Sequence, residues 1–552
     1  IGTIHGWNNV NYTWITDAAL GQMKTSPSGK KIAVAIGNFD PAIIDLFDFN
    51  TVPGILKMQK SYFDEGKQQF PYWKKWNIER NGTEMLAIHQ ILYLYARGHA
   101  DYHRLVAEAL NMNDRIFGEF FDDLNVGRFD DILDLLYKKV TVTLDEVLLK
   151  SKPEVVGCTL NNSTWPGTLF ILKYVKKNLP HIRTVVGGPG PILGINSDMD
   201  GIRKFFDSHI FIDYFVMGEG EQAFLQILDN PELPRGILNS GIQPSSLGIS
   251  RSNIKMDDLP LPDYGDLNLS RYLQLSISSS RGCPFECSFC AETVFWKGFR
   301  SLGKPNIFKA IDALAKRYDR TSFYLCDSFS NHNISHLSND IVKSGKPYTI
   351  DCYLRADHTC IDETLTKKWC QGGLFRARLG MESASQRILN DMVKKTTPET
   401  MGKSLYALAN QGALTCTLWI VGYPGETEAE FESTLKFIRE HRSNIYQADA
   451  WLFQYHPTGL SSSVKIDAEK GSRLRFSDEI NEILAIKPYL VDKDISSGER
   501  FNRLERFTAE MESLQIPNPY SIHEMINAQN RWIKLGHDYR WDPLRSMMPK
   551  AV

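Results

Sequence analysis

The stretch Arg281-Gly282-Cys283-Pro284-Phe285-Glu286-Cys287-Ser288-Phe289-Cys290 places three cysteines within eight residues, with the spacing Cys-x3-Cys-x2-Cys. It directly follows an apolar segment that is predicted to be a strand. Closely spaced cysteines on one loop can supply thiolates to an iron–sulfur cluster. A structural zinc site needs four ligands, and the first downstream histidine, His332, is far from the triad in sequence. The spacing therefore favours an iron–sulfur cluster over zinc or ordinary packing.

Strands alternating with helices follow this loop. Apolar segments predict six strands, and segments with helical spacing, such as Ile307–Arg317 and Thr400–Asn410, lie between them. Six βα units in a row predict a partial barrel over residues 269–460, with its site at the C-terminal ends of the strands. The predicted strands are Leu273–Ser278, Ser322–Cys326, Thr349–Leu354, Arg376–Leu379, Thr415–Val421 and Ala448–Tyr455.

The N-terminal half predicts a second parallel α/β sheet. Glu154–Leu160, Thr184–Val186 and Ile212–Met217 have strand character and alternate with helical segments. Glycines at their ends would let the backbone approach a ligand closely, at the edge where open parallel sheets bind. The predicted organisation is a Rossmann-like domain over residues 1–235 with a helical insertion at about 55–145, a linker over 236–268, the partial barrel, and a helical C-terminal region over 461–552.

Composition and charge exclude some classes of protein. The net charge of -2 argues against a general nucleic-acid binder, and the 42% hydrophobic and 23% charged residues are ordinary for a globular protein. We find no apolar run long enough to span a bilayer and no signal peptide. The nine cysteines are an odd number, which fits a reducing environment. We therefore expect a cytoplasmic protein without membrane association.

The cysteine loop resembles that of the radical S-adenosylmethionine (SAM) superfamily, and other motifs match in the same order. Leu354–Asp357, Gly380–Ser383 and Val421–Thr427 resemble the strand-end elements of that family. The resemblance implies that Cys283, Cys287 and Cys290 bind a 4Fe–4S cluster whose open iron binds SAM. It also implies a radical, formed when SAM is cleaved, that abstracts hydrogen from unreactive carbon. The residues implied to contact SAM are Phe289, Arg355, Gly380, Glu382 and Ser383. No further catalytic residue is assigned.

The N-terminal motifs Pro153–Gly157, Val185–Pro189 and Asp213–Glu221 resemble the cobalamin-binding domain fused to one class of radical SAM enzymes. The same fold without cobalamin is the alternative. The chain lacks an Asp-x-His-x-x-Gly loop, so cobalt would not be ligated by histidine, and Asn161–Trp165 or Trp7–Trp14 would cover its lower face. The residues implied to contact cobalamin are Gly157, Asn161, Gly187, Gly188, Gly218, Glu219 and Gly220.

Three functions remain open at this stage. The first is a cobalamin-dependent methyltransferase acting on an unactivated carbon or phosphorus centre of a natural product or metabolite. The second keeps both cofactors but performs a cyclisation or ring rearrangement without methyl transfer, and the third is a non-catalytic protein. The expected partners are a small-molecule or peptide substrate and an electron donor such as flavodoxin or ferredoxin. Only Cys158 lies in the N-terminal half and no cysteine follows Cys416, so we expect a single cluster.

Overall fold

The computed structural model describes two parallel β-sheets with their helices. The described residues are 33–35, most of 137–160, 165–188, 199–239, most of 254–453, 472–473, 489–490, most of 495–517 and 531–537. Trp7–Trp14, nearly all of the 55–145 insertion and Asn161 lie outside them, so the predictions made there stay predictions.

The first sheet has five parallel strands in the order β1-β2-β3-β4-β5. Valines and aromatic residues of β2 to β4 are buried, as expected for strands covered on both faces. The predicted strands at 154–160, 184–186 and 212–217 are confirmed. The strands are β1 (Ala33–Ala35), β2 (Val155–Thr159), β3 (Arg183–Gly187), β4 (Tyr214–Met217) and β5 (Gly236–Asn239), and the helices are α1 (Trp165–Asn178), α2 (Met199–Ser208) and α3 (Glu221–Asp229).

Two features of this sheet differ from the expectation. Strand β5 lies in the stretch predicted to be a linker, because residues 236–239 complete the hydrogen-bonded ladder of β4. The five described strands also follow one another in chain order. A doubly wound sheet reverses its strand order at the ligand crevice, and no such reversal lies among the described strands. The Rossmann-like description therefore stays a prediction, and β5 belongs to the first sheet.

The second sheet has six parallel strands in the order β13-β12-β11-β10-β9-β6, which confirms the predicted series of βα units. A short antiparallel ribbon, β7 with β8, follows its first strand. The strands are β6 (Leu275–Ile277), β7 (Ser280–Arg281), β8 (Arg300–Ser301), β9 (Ser322–Leu325), β10 (Thr349–Leu354), β11 (Leu374–Glu382), β12 (Leu414–Val421) and β13 (Gln447–Leu452). The helices are α4 (Glu292–Trp296), α5 (Lys304–Tyr318), α6 (Asn331–Ser344), α7 (Glu363–Gln371), α8 (Gln386–Asp391), α9 (Pro398–Asn410) and α10 (Glu428–His441).

The two faces of this second sheet differ in polarity. On β10, Ile350, Cys352 and Leu354 are buried in the apolar core. The alternate residue Asp351 is also fully buried and accepts two hydrogen bonds of 2.8 Å from Arg378 on β11. A buried carboxylate needs such pairing because it has lost its water. At this position the face opposite the apolar core is therefore polar, and its charge is paired.

The C-terminal region contributes a pair of two-residue strands, β14 (Ser472–Arg473) and β15 (Tyr489–Leu490), and a helix, α11 (Ser497–Ser513). Helix α11 packs near β13, whose Ala448 N–H donates to the carbonyl of Pro517. This contact covers part of the edge of the sheet. No helix in the described part of the chain has both the length and the hydropathy to cross a membrane.

Candidate functional site

Residues 282–299, the cysteine loop, connect β7 to β8 at the start of the second sheet. Cross-strand pairing of Arg281 with Arg300 closes the base of the loop. Gly282 has a φ of +79°, and a Cβ there would collide with the carbonyl of Gly298. Only glycine fits such a position, because it combines left-handed backbone with close backbone contact. The base of the cysteine loop is therefore narrow and fixed.

The three cysteines of the loop are free thiols, of which Cys287 is buried while Cys283 and Cys290 are half-buried. Burial raises the pKa of Cys283, although Arg355 and Lys394 act in the opposite direction, and burial raises the pKa of Cys290 to about 12. Thiolates in such a place need positive charge to be stable. Iron supplies that charge, so the donor set fits a metal cluster.

Arg355, at the end of β10, faces the cysteine loop. Its Nη1 lies 3.6 Å from Sγ of Cys287, and its guanidinium lies 3.9 Å from the ring centroid of Phe285. Asn331 fixes the backbone of Arg355 by donating to its carbonyl at 2.9 Å and accepting from its N–H at 2.8 Å. Nε and Nη2 of Arg355 are buried and have no hydrogen-bond partner in the described part of the chain. These two donors are available to an anionic group.

Glu382 and Lys394 form a buried ion pair at the end of β11, with Nζ 2.7 Å from Oε1. The register of the pairing between β11 and β12 shifts between Gly380 and Glu382, which marks a bulge. Glu382 has a φ of +63°. This bulge redirects the Glu382 side chain. A Cβ on Gly380 would lie 2.6 Å from Oε1 of Glu382 and 3.0 Å from Nζ of Lys394. The glycine of the motif therefore makes room for the ion pair.

Phe289 and its neighbour Ser288 anchor the cysteine loop to the other side of the site. Phe289 packs against a buried cluster that includes Met392 and Tyr423, and Nζ of Lys394 lies 5.8 Å from its ring centroid. Ser288 donates its N–H to the carbonyl of Met392 at 2.9 Å. The structure thus brings the predicted motif residues together. Arg355 contacts the cysteine loop directly, and Gly380 and Glu382 reach Phe289 of the loop through Lys394.

Two predicted residues of this site have local structural roles. The hydroxyl of Ser383 accepts from the N–H of Ser385 at 3.1 Å. Asp357 accepts from the N–H of Thr359 at 2.8 Å rather than pairing with Arg355. Sequence reasoning did not identify Lys394 or Asn331. Lys394 lies only twelve residues after Glu382, but a lone lysine there carries no motif.

Four of the five glycines predicted to contact cobalamin fall into two groups, and at the fifth, Gly220, a Cβ would meet Cγ1 of Val216 at 3.8 Å. Gly188 and Gly218 have φ values of +110° and +74°, so their backbone requires glycine without any ligand. A Cβ on Gly157 or Gly187 would meet its nearest neighbour at 3.7 or 3.5 Å, an ordinary contact. Protein packing would therefore accept a Cβ at Gly157 and at Gly187, and it does not by itself require glycine there. Glycine at two positions that packing does not require is compatible with the close approach of a ligand to the backbone of β2 and β3.

Glu219, in contrast, faces the second sheet. Its Oε1 accepts from Nη1 of Arg281 at 2.6 Å and from Nη2 of Arg300 at 2.9 Å. Glu221 accepts from Nη2 of Arg281 at 2.5 Å. Burial alone would lower the pKa of Arg281, but the carboxylates of Glu221 and Glu219 raise it. The turn that follows β4 therefore contacts the base of the cysteine loop.

Residues 277–438 match the family model of the Radical SAM superfamily. These residues form a radical SAM domain. Such a domain implies a 4Fe–4S cluster and SAM as cofactors. The radical SAM domain begins at the end of β6 and includes the cysteine loop, Arg355 and the Glu382–Lys394 pair.

Relatives extend the similarity beyond this domain. The chain is 26% identical over 340 residues to the anaerobic magnesium-protoporphyrin IX monomethyl ester cyclase of Rubrivivax gelatinosus, covering 57% of this chain and 60% of the relative. It is 26% identical over 330 residues to an uncharacterized methyltransferase of Pyrococcus horikoshii, covering 56% of this chain and 69% of the relative. Among solved structures, the radical SAM methyltransferase TsrM of Kitasatospora setae is similar, with 17% identity and a TM-score of 0.48. The match covers 69% of this chain and 78% of the TsrM chain.

Proposed function

We propose that this protein is a cobalamin-dependent radical SAM enzyme that methylates an unactivated carbon or phosphorus centre. The observation that carries the proposal is the cysteine loop, which meets Arg355 and lies beside the Glu382–Lys394 pair at the C-terminal edge of a six-stranded parallel sheet. This edge is where α/β barrels hold their reactive groups.

Cys283, Cys287 and Cys290 would hold the cluster. Their free thiols and the adjacent unpartnered donors of Arg355 fit a group that needs thiolate ligands and carries negative charge. When bound, the cluster supplies the electron that cleaves SAM. Phe289 would pack beside the adenine, and Gly380 with Glu382 and Ser383 would contact the ribose and amino group. The burial of Glu382 and Ser383 would help to exclude water from the reaction.

Cobalamin would bind at the C-terminal edge of the first sheet. A Cβ at Gly157 or Gly187 would make only ordinary contacts, so neither glycine is required by φ or by packing, and this supports the placement. The sequence offers no Asp-x-His-x-x-Gly loop, so we propose a cobalt without a histidine ligand. Cobalamin held at this edge by the backbone of Gly157 and Gly187 would supply the chemistry of a methyl carrier.

The outcome of the reaction has two candidates. A relative named as a methyltransferase supports methyl transfer, and a relative named as a cyclase supports ring formation without methyl transfer. The substrate would be a small molecule or a peptide. A reducing partner such as flavodoxin or ferredoxin would supply electrons, and the enzyme would work in the cytoplasm.

The proposal is tested first at the cluster. Anaerobically reconstituted protein should hold about four irons, the number in one cubane cluster, and produce 5′-deoxyadenosine from SAM when reduced. The triple variant with Cys283, Cys287 and Cys290 replaced by alanine should lose the iron. The matched control is Cys416→Ala, a cysteine on β12 that packs in a separate buried group. Full iron in the triple variant would refute the assignment.

The reaction type is tested by mass. Candidate substrates are incubated with reduced enzyme, cobalamin and SAM that carries a labelled methyl group. A product heavier by the labelled methyl supports methyl transfer. A product that lacks the label and has lost hydrogen supports cyclisation and would replace the leading proposal.

A further inference from the structure

Glu219 lies between the two arginines that flank the cysteine loop. Arg281 and Arg300 are direct cross-strand partners in the β7–β8 ribbon. Like charges placed directly opposite each other destabilise a strand pair. Glu219, from the other sheet, accepts from both with the same oxygen, at 2.6 and 2.9 Å. The carboxylate therefore compensates a repulsion that the ribbon creates.

The surroundings make this compensation strong. The side chains of Glu219 and Arg281 are each 4% exposed, and that of Arg300 is 14% exposed. Glu221 adds a second carboxylate to Arg281, so the four side chains carry no net charge. Removing one partner from a buried ionic group is costly because it leaves an uncompensated charge away from water.

The location of the group gives it a function. Arg281 lies two residues before Cys283, and Arg300 lies just after the loop ends, so the two arginines bracket all three cysteines. Glu219 lies on the turn between β4 and α3, and Glu221 is the first residue of α3, at the same sheet edge as Gly187. One ionic group thus connects the edge proposed for cobalamin with both ends of the proposed cluster loop.

We propose that Glu219 is a positioning residue that holds the cysteine loop closed through Arg281 and Arg300, rather than a contact to cobalamin. Glu221 supports it through Arg281. The inference rests on the proposed function, since it assumes a cluster on the cysteine triad. It adds that the first sheet fixes the geometry of the iron site.

The test measures how fast the reconstituted holoenzyme releases iron to a ferrous chelator under anaerobic, reducing conditions. Glu219→Gln should release iron about tenfold faster than the wild type or more, because the two arginines are left unbalanced. The electron paramagnetic resonance spectrum of the reduced cluster with SAM should also change. Glu232→Gln is the matched control, since Glu232 is an exposed carboxylate of the same domain.

The double variant Glu219→Gln/Arg300→Gln restores charge balance and should recover most of the wild-type iron retention. Recovery identifies charge compensation, which a purely structural role of Glu219 would not produce. Visible spectra after desalting should show normal cobalamin uptake in Glu219→Gln. Wild-type iron release in Glu219→Gln, absence of rescue, or loss of cobalamin with unchanged iron release would each overturn the inference.

Two controls keep the outcomes separate. A wild-type protein that holds no iron would refute the proposed function and not the role of Glu219. If Glu219→Gln does not give folded protein, Glu221→Gln and Arg300→Gln carry the test. Both of these variants must then release iron faster than the Glu232→Gln control. If their rates of iron release equal that of the control, the inference is overturned.

Discussion

Nζ of Lys394 donates to Oε1 of Glu382 across 2.7 Å. Both atoms lie within 3.0 Å of the position that a Cβ would take on Gly380. The pair explains why a glycine precedes this glutamate in the motif. It also means that Glu382 already has a cationic partner before any ligand binds. SAM, which carries an amino group and a sulfonium, would therefore meet a carboxylate that Lys394 holds in place.

We predict that Glu382→Gln weakens SAM binding about tenfold, because a charge-assisted hydrogen bond becomes a neutral one. The iron content should not change. Anaerobic titration calorimetry with the reconstituted protein measures this. Glu399→Gln, an exposed glutamate on α9, is the control. If both variants bound SAM as the wild type does, Glu382 would have only a structural role.

The Gly380→Ala variant should have a similar effect on SAM for a steric reason. The added Cβ would lie 2.6 Å from Oε1 of Glu382, so the ion pair must move. We expect SAM affinity to fall while circular dichroism and iron content stay normal. Gly380→Ala protein with full SAM affinity would show that the ion pair can shift without cost.

Arg355 should tune the potential of the cluster. Its Nη1 points to Sγ of Cys287 at 3.6 Å, and such a donor favours the more negative, reduced state. Arg355→Met should lower the midpoint potential by about 60 mV for each 1.4 kcal/mol of lost stabilisation. Redox titration followed by electron paramagnetic resonance measures the shift. If the midpoint potential of the cluster were unchanged in Arg355→Met, Arg355 would not tune the cluster, and its role would be a contact with SAM or with Phe285.

Gly187 offers a cleaner test of cobalamin binding than Gly188. A side chain at Gly188 would clash with the carbonyl of Leu160 at 2.6 Å and meet a φ of +110°, so its effect on folding would obscure any effect on binding. Gly187→Leu adds bulk where a Cβ is accepted at 3.5 Å from Val216. We expect normal melting and reduced cobalamin uptake after reconstitution. Normal uptake would place cobalamin elsewhere.

Asp327 should make stability depend on pH. Burial raises the pKa of this carboxyl to about 6, although Ser279 and Ser280 donate their N–H groups to it at 2.8 Å. The folded protein therefore binds a proton that the unfolded chain releases. Stability is full below about pH 4 and is lost as the pH rises through about 6, by roughly 3 kcal/mol at most.

Urea unfolding of apoprotein at pH 4.5 and pH 6.5 checks this dependence. The difference between the two values should be smaller in Asp327→Asn, which cannot ionise. Equal differences in wild type and variant would mean that Asp327 stays charged in the folded protein.

The sequence by itself determined the cysteine triad and the order of the second sheet. The three cysteines lie on one short loop, so their proximity does not depend on the fold. Strands such as β10, predicted and found at Thr349–Leu354, are identified by local periodicity. Tertiary structure decided the partners of the charged groups. Glu219 meets Arg300 across 81 residues, and Arg355 meets Cys287 across 68. Such pairs are selected by how strand ends and loops pack, and no local pattern encodes that.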